Sequence, residues 1–179
     1  MEAYLTDCTL CPRQCHADRL AGQRGYCGKA AGLIVARAAL HMWEETCISG
    51  VNGSGTVFFS GCNLGCIFCQ NYKISRNGRQ HGKQEIGTEI TVRRLAGIFM
   101  ELESQGANNI NLVTPTHYVP QIIEALEIAR EKGMNLPVVY NTSGYERAET
   151  IRMLEGYVDI YLPDMKYMDP ALAAEYSGA

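Results

Sequence analysis

Short apolar segments alternate four times with amphipathic helical patterns along most of the chain. The predicted strands cover residues 57–59, 110–113, 138–140 and 158–162. Continuously apolar strands between such helices are typical of a parallel sheet covered by helices. A closed eight-stranded α/β barrel needs about 250 residues, whereas the chain has 179. The pattern therefore predicts an α/β fold that forms a partial (β/α) barrel of about four units, and we expect a fragment of a longer protein or a truncated gene product.

The other predicted elements follow from local signals. An additional strand is predicted at 33–40, and residues 41–56 are predicted to form a loop that ends in a run of turn-forming residues. Thr91 is predicted to cap a helix, because apolar residues follow it at helical spacing. A shorter helix is predicted at 146–155. We expect two regions, a cysteine-rich N-terminal segment over residues 1–52 and the partial barrel over residues 53–179.

The N-terminal segment contains four cysteines within 20 residues, Cys8, Cys11, Cys15 and Cys27. Four thiolates saturate a metal, so this group is a candidate structural zinc site or a candidate second iron–sulfur cluster. His16 is a candidate substitute ligand. The alternative is a set of reduced, buried thiols without a metal, and the spacing alone does not choose among the three.

A second cysteine group directly follows the first apolar strand. Cys62, Cys66 and Cys69 have the spacing Cys-x3-Cys-x2-Cys. Ordinary electron-transfer cubanes use four thiolates, so three thiolates on one loop predict a [4Fe-4S] cluster with one iron open for a substrate or cofactor. The alternatives are a zinc knuckle or three incidental cysteines. A zinc site would need a fourth ligand, and the nearest downstream histidine is His81.

This spacing, with Phe68 directly before the third cysteine, resembles the signature of the radical S-adenosylmethionine (SAM) superfamily. The resemblance implies a partial barrel of the radical SAM type and a cluster whose open iron chelates SAM. It also implies that one electron cleaves SAM to methionine and a 5′-deoxyadenosyl radical, which then abstracts hydrogen from a substrate. Phe68 is expected to pack near the adenine.

Unusual polar sequence also follows each of the other three strands. These runs are residues 114–117, 141–144 and 163–166. Ligand sites in α/β barrels form at the carboxyl ends of the strands. The sequence therefore predicts one composite site, shared by the cysteine loop and these three runs.

The runs 55–62, 69–71 and 158–166 resemble, more closely, proteins related to the activating enzyme of pyruvate formate-lyase. The chain looks most like the uncharacterised branch that shares the N-terminal cysteines. This resemblance implies an oxidoreductase that receives electrons from a reductant such as flavodoxin or ferredoxin. It also implies a glycyl radical enzyme as a partner, on which the radical is installed.

The activating enzymes carry a Gly-Gly-Glu motif after the second strand, which binds the amino group of SAM. Here Thr114-Pro115-Thr116-His117 stands in its place. The candidate amino-group contacts are therefore Thr116, His117 or a backbone carbonyl. The alternative for His117 is a residue at a helix start that is hydrogen-bonded locally.

Two further runs match the activating enzymes by position, near the carboxylate of SAM. Asn141 and Thr142 occupy the place of an Asp-Thr pair, and Asp164 and Lys166 that of an Asp-x-Lys motif. A lysine there can neutralise a carboxylate. The alternative for Asp164 and Lys166 is a surface ion pair.

Charge and N-terminal sequence narrow the class of protein. The net charge is −3, from 16 basic and 19 acidic residues, so nucleic acid is not an expected partner. The N-terminus does not resemble a secretion signal, and no apolar stretch predicts a membrane span. Eight cysteines in a cytoplasmic chain are expected to be reduced. Glu44 and Glu45 are expected to face solvent, with the alternative that their loop approaches the mouth of the barrel.

Two other functions compete with a radical SAM activating enzyme. One is a radical SAM enzyme that acts on a small molecule or a peptide, for which the activase resemblance is only ancestral. The other is an inactive fragment, or a metal-binding or electron-transfer iron–sulfur protein.

Overall fold

A computed structural model describes residues 2–76 and 86–179 of the chain, and His81 lies outside them. The strands are β1 (Leu33–His41), β2 (Ser54–Phe59), β3 (Thr88–Ile90), β4 (Ile110–Val113), β5 (Val138–Thr142) and β6 (Ile160–Pro163). The α-helices are α1 (Ala3–Thr6), α2 (Thr46–Ser49), α3 (Tyr72–Ser75), α4 (Val92–Ser104), α5 (Val119–Glu131), α6 (Ala148–Met153) and α7 (Pro170–Leu172). A 3₁₀ turn covers Thr116–Tyr118, and a π-helical turn covers Ala173–Ser177.

The six described strands form one sheet in the order β3-β1-β2-β4-β5-β6. Strands β2, β4, β5 and β6 are mutually parallel, whereas β1 is antiparallel to both β2 and β3. The four parallel strands are those predicted, and the partial α/β barrel is confirmed. Strand β1 lies within the predicted N-terminal segment, so that segment and the barrel share one sheet.

Helices α4 and α5 cover one face of the sheet. Thr91 caps α4 as predicted, because its hydroxyl oxygen accepts a hydrogen bond from the backbone N–H of Arg94 at 3.1 Å. Leu95 and Phe99 of α4 and Leu126 of α5 are fully buried against the strands. Because side chains alternate along a strand, the other face of β4 and β5 is free to present polar residues.

The predicted loop at 41–56 is wrong at its end, since β2 already begins at Ser54. The backbone N–H of Gly55 donates to the carbonyl of Asn109 at 3.0 Å. A Cβ at position 55 would lie 2.8 Å from that carbonyl oxygen, so glycine here allows close strand contact and does not form a turn.

The predicted helix at 146–155 is shorter at both ends, as α6 covers Ala148–Met153, and the predicted strand at 158–162 is displaced toward Ile160–Pro163. Arg147 has extended backbone with ψ of 141°, so α6 begins after it. The N–H of Val158 bonds to the carbonyl of Leu154 at 3.1 Å and closes the turn that follows α6. Strand β6 therefore begins later than the apolar run suggests.

Side chains of the barrel fasten the N-terminal segment to it. The guanidinium of Arg147 donates to the carbonyl of Thr9 at 2.8 Å, and the hydroxyl of Thr150 donates to that of Leu10 at 2.7 Å.

Among the described residues, no helix combines the length and apolar character that crossing a bilayer requires.

Truncation of Leu126 tests the packing of α5 on the sheet. Leu126→Ala removes a fully buried side chain, and we expect it to lower the free energy of unfolding by about 2–5 kcal/mol. Glu124, which is exposed on the same helix, is the control, and Glu124→Ala should change stability by less than about 0.5 kcal/mol. Urea unfolding measures both. Equal losses would contradict the assignment of the buried face.

Candidate functional site

A cavity of about 390 Å³ lies at the carboxyl ends of the parallel strands. Its walls come from the cysteine loop and from the segments that follow β4, β5 and β6. Eight of the residues predicted for the site line it: Cys62, Cys66, Phe68, Cys69, Asn141, Thr142, Asp164 and Lys166. The structure thus brings the cysteine loop and three strand ends to one place, as the composite site requires. Thr116 and His117 do not line the cavity.

Side chains and backbone from other parts of the chain brace the cysteine loop. Arg76 donates to the carbonyls of Gly65 and Cys66 at 3.0 and 2.6 Å. The backbone N–H groups of Gly65 and Ile67 donate to the carbonyls of residues 177 and 176 at 2.8 and 2.9 Å. Asn63 is buried, and its side-chain amide donates to the carbonyl of Tyr145 at 2.7 Å. These contacts fix the loop along most of its length.

The three thiols of the loop differ in their surroundings. Cys66 is buried, whereas Cys62 and Cys69 are half-buried. The backbone N–H of Leu64 donates to the sulfur of Cys62 at 3.3 Å, and the sulfur of Cys69 lies 3.3 Å from the hydroxyl oxygen of Ser75. A hydrogen-bond donor at sulfur favours the thiolate, which is the form that binds metal.

This donor set fits an iron–sulfur cluster with an open iron. Three thiols from one loop face one cavity, and thiolates are the ligands that select such clusters. Within residues 2–76 and 86–179, no group of three or more His, Cys, Asp or Glu side chains already has metal-ligand geometry.

Phe68 forms an aromatic edge of the cavity. It is 50% exposed and makes an edge-to-face contact with Tyr167, with ring centroids 6.1 Å apart. A half-exposed ring beside a cavity offers a face on which a flat heterocycle can stack.

The segment after β4 presents Thr114, and not Thr116 or His117, to the cavity. Thr114 has a left-handed backbone with φ of 56°, a conformation that costs energy in a β-branched residue and is concentrated at functional sites. Thr116 and His117 are only 1% and 2% exposed. Nε2 of His117 lies 2.8 Å from the carbonyl oxygen of Ser60, so it carries the proton. The alternative interpretation is thus correct in placing His117 at a helix start, but its hydrogen bond is a long-range one to Ser60 and not a local one.

Glu146 is a half-buried acid beside the cavity that no sequence pattern predicted, and one of its carboxylate oxygens is buried. Its carboxylate accepts hydrogen bonds from the hydroxyls of Thr116 (2.6 Å) and Thr142. Burial raises the pKa of Glu146, and the hydroxyls of Thr116, Thr142 and Tyr140 partly offset the rise. Because Thr142 lines the cavity, Glu146 fixes the orientation of a hydroxyl that a ligand would meet.

Asp164 and Lys166 form the ion pair that their alternative interpretation proposed, and both line the cavity. The ammonium of Lys166 donates to the carboxylate of Asp164. The backbone N–H of Asp164 donates to the carbonyl of Thr142 at 2.7 Å, which ties the pair to the end of β5. The half-buried lysine supplies a positive charge to the cavity wall.

The interpretation of Glu44 as a solvent-facing residue is wrong. Its carboxylate accepts hydrogen bonds from the side-chain amides of Asn111 at 2.8 Å and Asn141 at 3.3 Å. The loop that carries it follows β1, whose end pairs with the first residue of β2. Glu44 thus reaches Asn141 from the end of the sheet opposite the cysteine loop. No local sequence signal marks a contact across 97 residues.

The four N-terminal cysteines do not line this cavity. Two of them, Cys8 and Cys27, are buried, whereas Cys11 is half-buried and Cys15 is exposed. Nδ1 of His16, the candidate substitute ligand, lies 2.7 Å from a carboxylate oxygen of Asp7 at the surface.

Comparison with known proteins gives one family and two relatives. The model of the Radical SAM superfamily matches residues 56–176. An uncharacterised protein of Methanocaldococcus jannaschii, MJ0674, is 30% identical over 163 residues, which are 90% of this chain and 46% of that protein. A second uncharacterised protein of the same organism, MJ0808, is 26% identical over 167 residues, which are 82% of this chain and 46% of that protein. The chain thus spans slightly less than half the length of these relatives.

The buried carboxyl group of Glu146 predicts a pH-dependent stability. Because the folded state raises its pKa above about 4.5, its contribution to stability is complete below that pH. The contribution is lost as the pH rises through the raised pKa. The stability of the unmodified protein relative to Glu146→Gln should therefore fall as the pH rises above about 4.5. Urea unfolding at several pH values measures this difference.

Glu149→Gln is the matched control. Glu149 is exposed, and a backbone N–H and Arg147 lower its pKa, so its removal should not reproduce the effect. The same pH profile for the unmodified protein and Glu146→Gln would show that Glu146 does not titrate as a buried acid.

Proposed function

The chain belongs to the radical SAM superfamily, and on that premise we propose that it reductively cleaves SAM at a [4Fe-4S] cluster held by Cys62, Cys66 and Cys69. The observation that carries the proposal is the shared cavity. The three thiols line it together with polar side chains from the ends of β5 and β6. A cluster that binds SAM needs a cavity in which cysteine thiols face polar side chains that can hold SAM.

When bound, the cluster would supply one electron to the sulfonium of SAM, which yields methionine and a 5′-deoxyadenosyl radical. The protein's part is to hold the cluster and to orient SAM against it. The loop is suited to the first task because Arg76 binds two of its carbonyls. The N–H of Leu64 stabilises the Cys62 thiolate in the same loop.

The cavity walls offer a partner for each end of SAM. Phe68 provides an aromatic face for the adenine. Lys166, beside Asp164, provides the cation that pairs with the methionine carboxylate. Thr142, whose hydroxyl is fixed by Glu146, and Asn141 line the same cavity at the end of β5. Thr114 replaces Thr116 and His117 as the candidate for the amino group, because it is the residue of that run with a side chain on the cavity.

Installation of a glycyl radical on a partner protein is the specific activity that we propose for this chemistry. The support is the likeness of residues 55–62, 69–71 and 158–166 to the activating enzymes. In this proposal flavodoxin or ferredoxin supplies the electron. The site of action would be the cytoplasm, where eight free cysteines are stable in the reduced state.

Removal of one loop thiol tests SAM cleavage. Cys66→Ala leaves two thiolates, which cannot hold a cluster with one open iron, so 5′-deoxyadenosine formation should fall to background. The assay uses the anaerobically reconstituted chain with dithionite and SAM, and chromatography measures the nucleoside. Cys47→Ala is the control, because Cys47 is exposed and does not line the cavity. Full cleavage by Cys66→Ala would refute the ligand assignment, and SAM binding without cleavage by the unmodified chain would favour an inactive fragment.

The activase proposal needs its own measurement. The reduced chain with SAM is mixed anaerobically with a candidate glycyl radical enzyme, and electron paramagnetic resonance detects the radical. We expect a glycyl doublet that disappears when Cys66→Ala replaces the unmodified chain. A chain that forms 5′-deoxyadenosine, transfers no radical to such partners and modifies a small molecule or peptide would contradict the activase assignment while retaining radical chemistry.

A further inference from the structure

We propose that Cys8, Cys11, Cys15 and Cys27 bind a second metal centre through four thiolates, and that this centre stabilises the segment on which the loop of Cys62, Cys66 and Cys69 rests. The ligand class is a metal that prefers thiolate sulfur, either a single zinc ion or a cubane iron–sulfur cluster. The inference does not depend on SAM cleavage, because the four cysteines lie outside the cavity described above.

The fold brings thiols of the segment close to one another, although no three of them yet have metal-ligand geometry within residues 2–76 and 86–179. A Cβ added at Gly25 would lie 3.0 Å from the sulfur of Cys15 and 3.6 Å from that of Cys27. The sulfurs of Cys15 and Cys27 therefore border the same small space. The thiol of Cys15 also lies 4.0 Å from the carbonyl oxygen of Cys8, to which it donates.

The cysteines of the segment lie in tight turns. The backbone N–H of Gln14 donates to the carbonyl of Cys11 at 3.0 Å, and that of His16 donates to the carbonyl of Cys8 at 3.1 Å. The N–H of Gly28 donates to the carbonyl of Gly25 at 2.8 Å and closes a turn around Cys27. Such turns let ligands that are close in sequence reach one metal.

Buried positive charge in the segment complements a thiolate centre. Arg19 is only 1% exposed, and it donates to the carbonyls of Ala30 and His117. These neutral oxygens satisfy hydrogen bonds without balancing the charge. The charge of Arg19 interacts electrostatically with both Cys8 and Cys27. Four thiolates around a divalent ion carry a net negative charge. A metal centre here would therefore balance the buried positive charge of Arg19, which neutral thiols would not do.

The segment supports the loop of the first site by direct contact. Nε of Arg13 donates to the carbonyl of Asn63 at 3.1 Å. A Cβ at Gly61 would lie 2.8 Å from the carbonyl oxygen of Cys27, so the chain next to Cys62 packs on the turn of Cys27. Arg19 also donates a hydrogen bond to the carbonyl of His117. The ring of His117 in turn donates one to the carbonyl of Ser60. A metal that fixes Cys8 and Cys27 would thus fix the support of the loop.

The test removes the first site and measures metal at the second. The triple variant Cys62→Ala, Cys66→Ala, Cys69→Ala is produced and purified anaerobically as the full chain, and its metal content is determined by mass spectrometry. We expect about one zinc per chain, or about four irons with visible absorption, depending on the centre. Adding Cys8→Ser and Cys11→Ser should abolish this content, whereas adding Cys47→Ser should not. A triple variant without stoichiometric zinc or iron would overturn the proposal.

A labelling experiment on the unmodified chain needs no substitution. Cys15 and Cys47 are both exposed, so without a metal both should react rapidly with iodoacetamide. We expect Cys47 to be alkylated at once and Cys15 to be protected until the metal is removed by a chelator. Peptide mass spectrometry locates the label. Equal labelling rates for Cys15 and Cys47 before chelation would contradict the proposal even if the variants failed to fold.

Discussion

The parallel register of β2, β4 and β5 is the constraint on which the site depends. Gly55 pairs with Ile110, and Ile110 with Val138, so the three strands end at the same edge of the sheet. A shift of one residue in β5 would exchange its two faces. It would move Asn141 toward the helices and Tyr140 toward the cavity side. The cysteine loop could still form, but the polar groups that face it would be lost.

Local signals predicted most of the fold, and long-range contacts explain where prediction failed. The Thr91 cap and the parallel strands follow from spacing that a short window of sequence contains. The run 114–117 was located correctly, but the residue of that run that meets the cavity depends on partners far away. Thr116 is held by Glu146, and His117 by Ser60. No pattern in the sequence near position 116 predicts either contact.

Two acids that the sequence did not reveal share one structural role. The carboxylate of Glu146 accepts a hydrogen bond from a hydroxyl of β5, and that of Glu44 accepts hydrogen bonds from side-chain amides of β4 and β5. Each binds a side chain of the strand end, Thr142 or Asn141, that also lines the cavity. Buried networks of this kind are costly unless they are satisfied, and once satisfied they hold their members in one orientation. These hydrogen bonds therefore hold the side chains of the cavity wall in place before any ligand binds.

The cysteine loop gains its order differently, from contacts outside the sheet. Arg13 and Arg76 donate hydrogen bonds to the carbonyls of the loop, and N–H groups of the loop donate to the carbonyls of residues 176 and 177. Each bond contributes about 1 kcal/mol to the stability of the loop. A metal bound by the three thiols would add its bonds to a loop that these contacts already hold, and its binding would be coupled to the stability of the segment around Arg13.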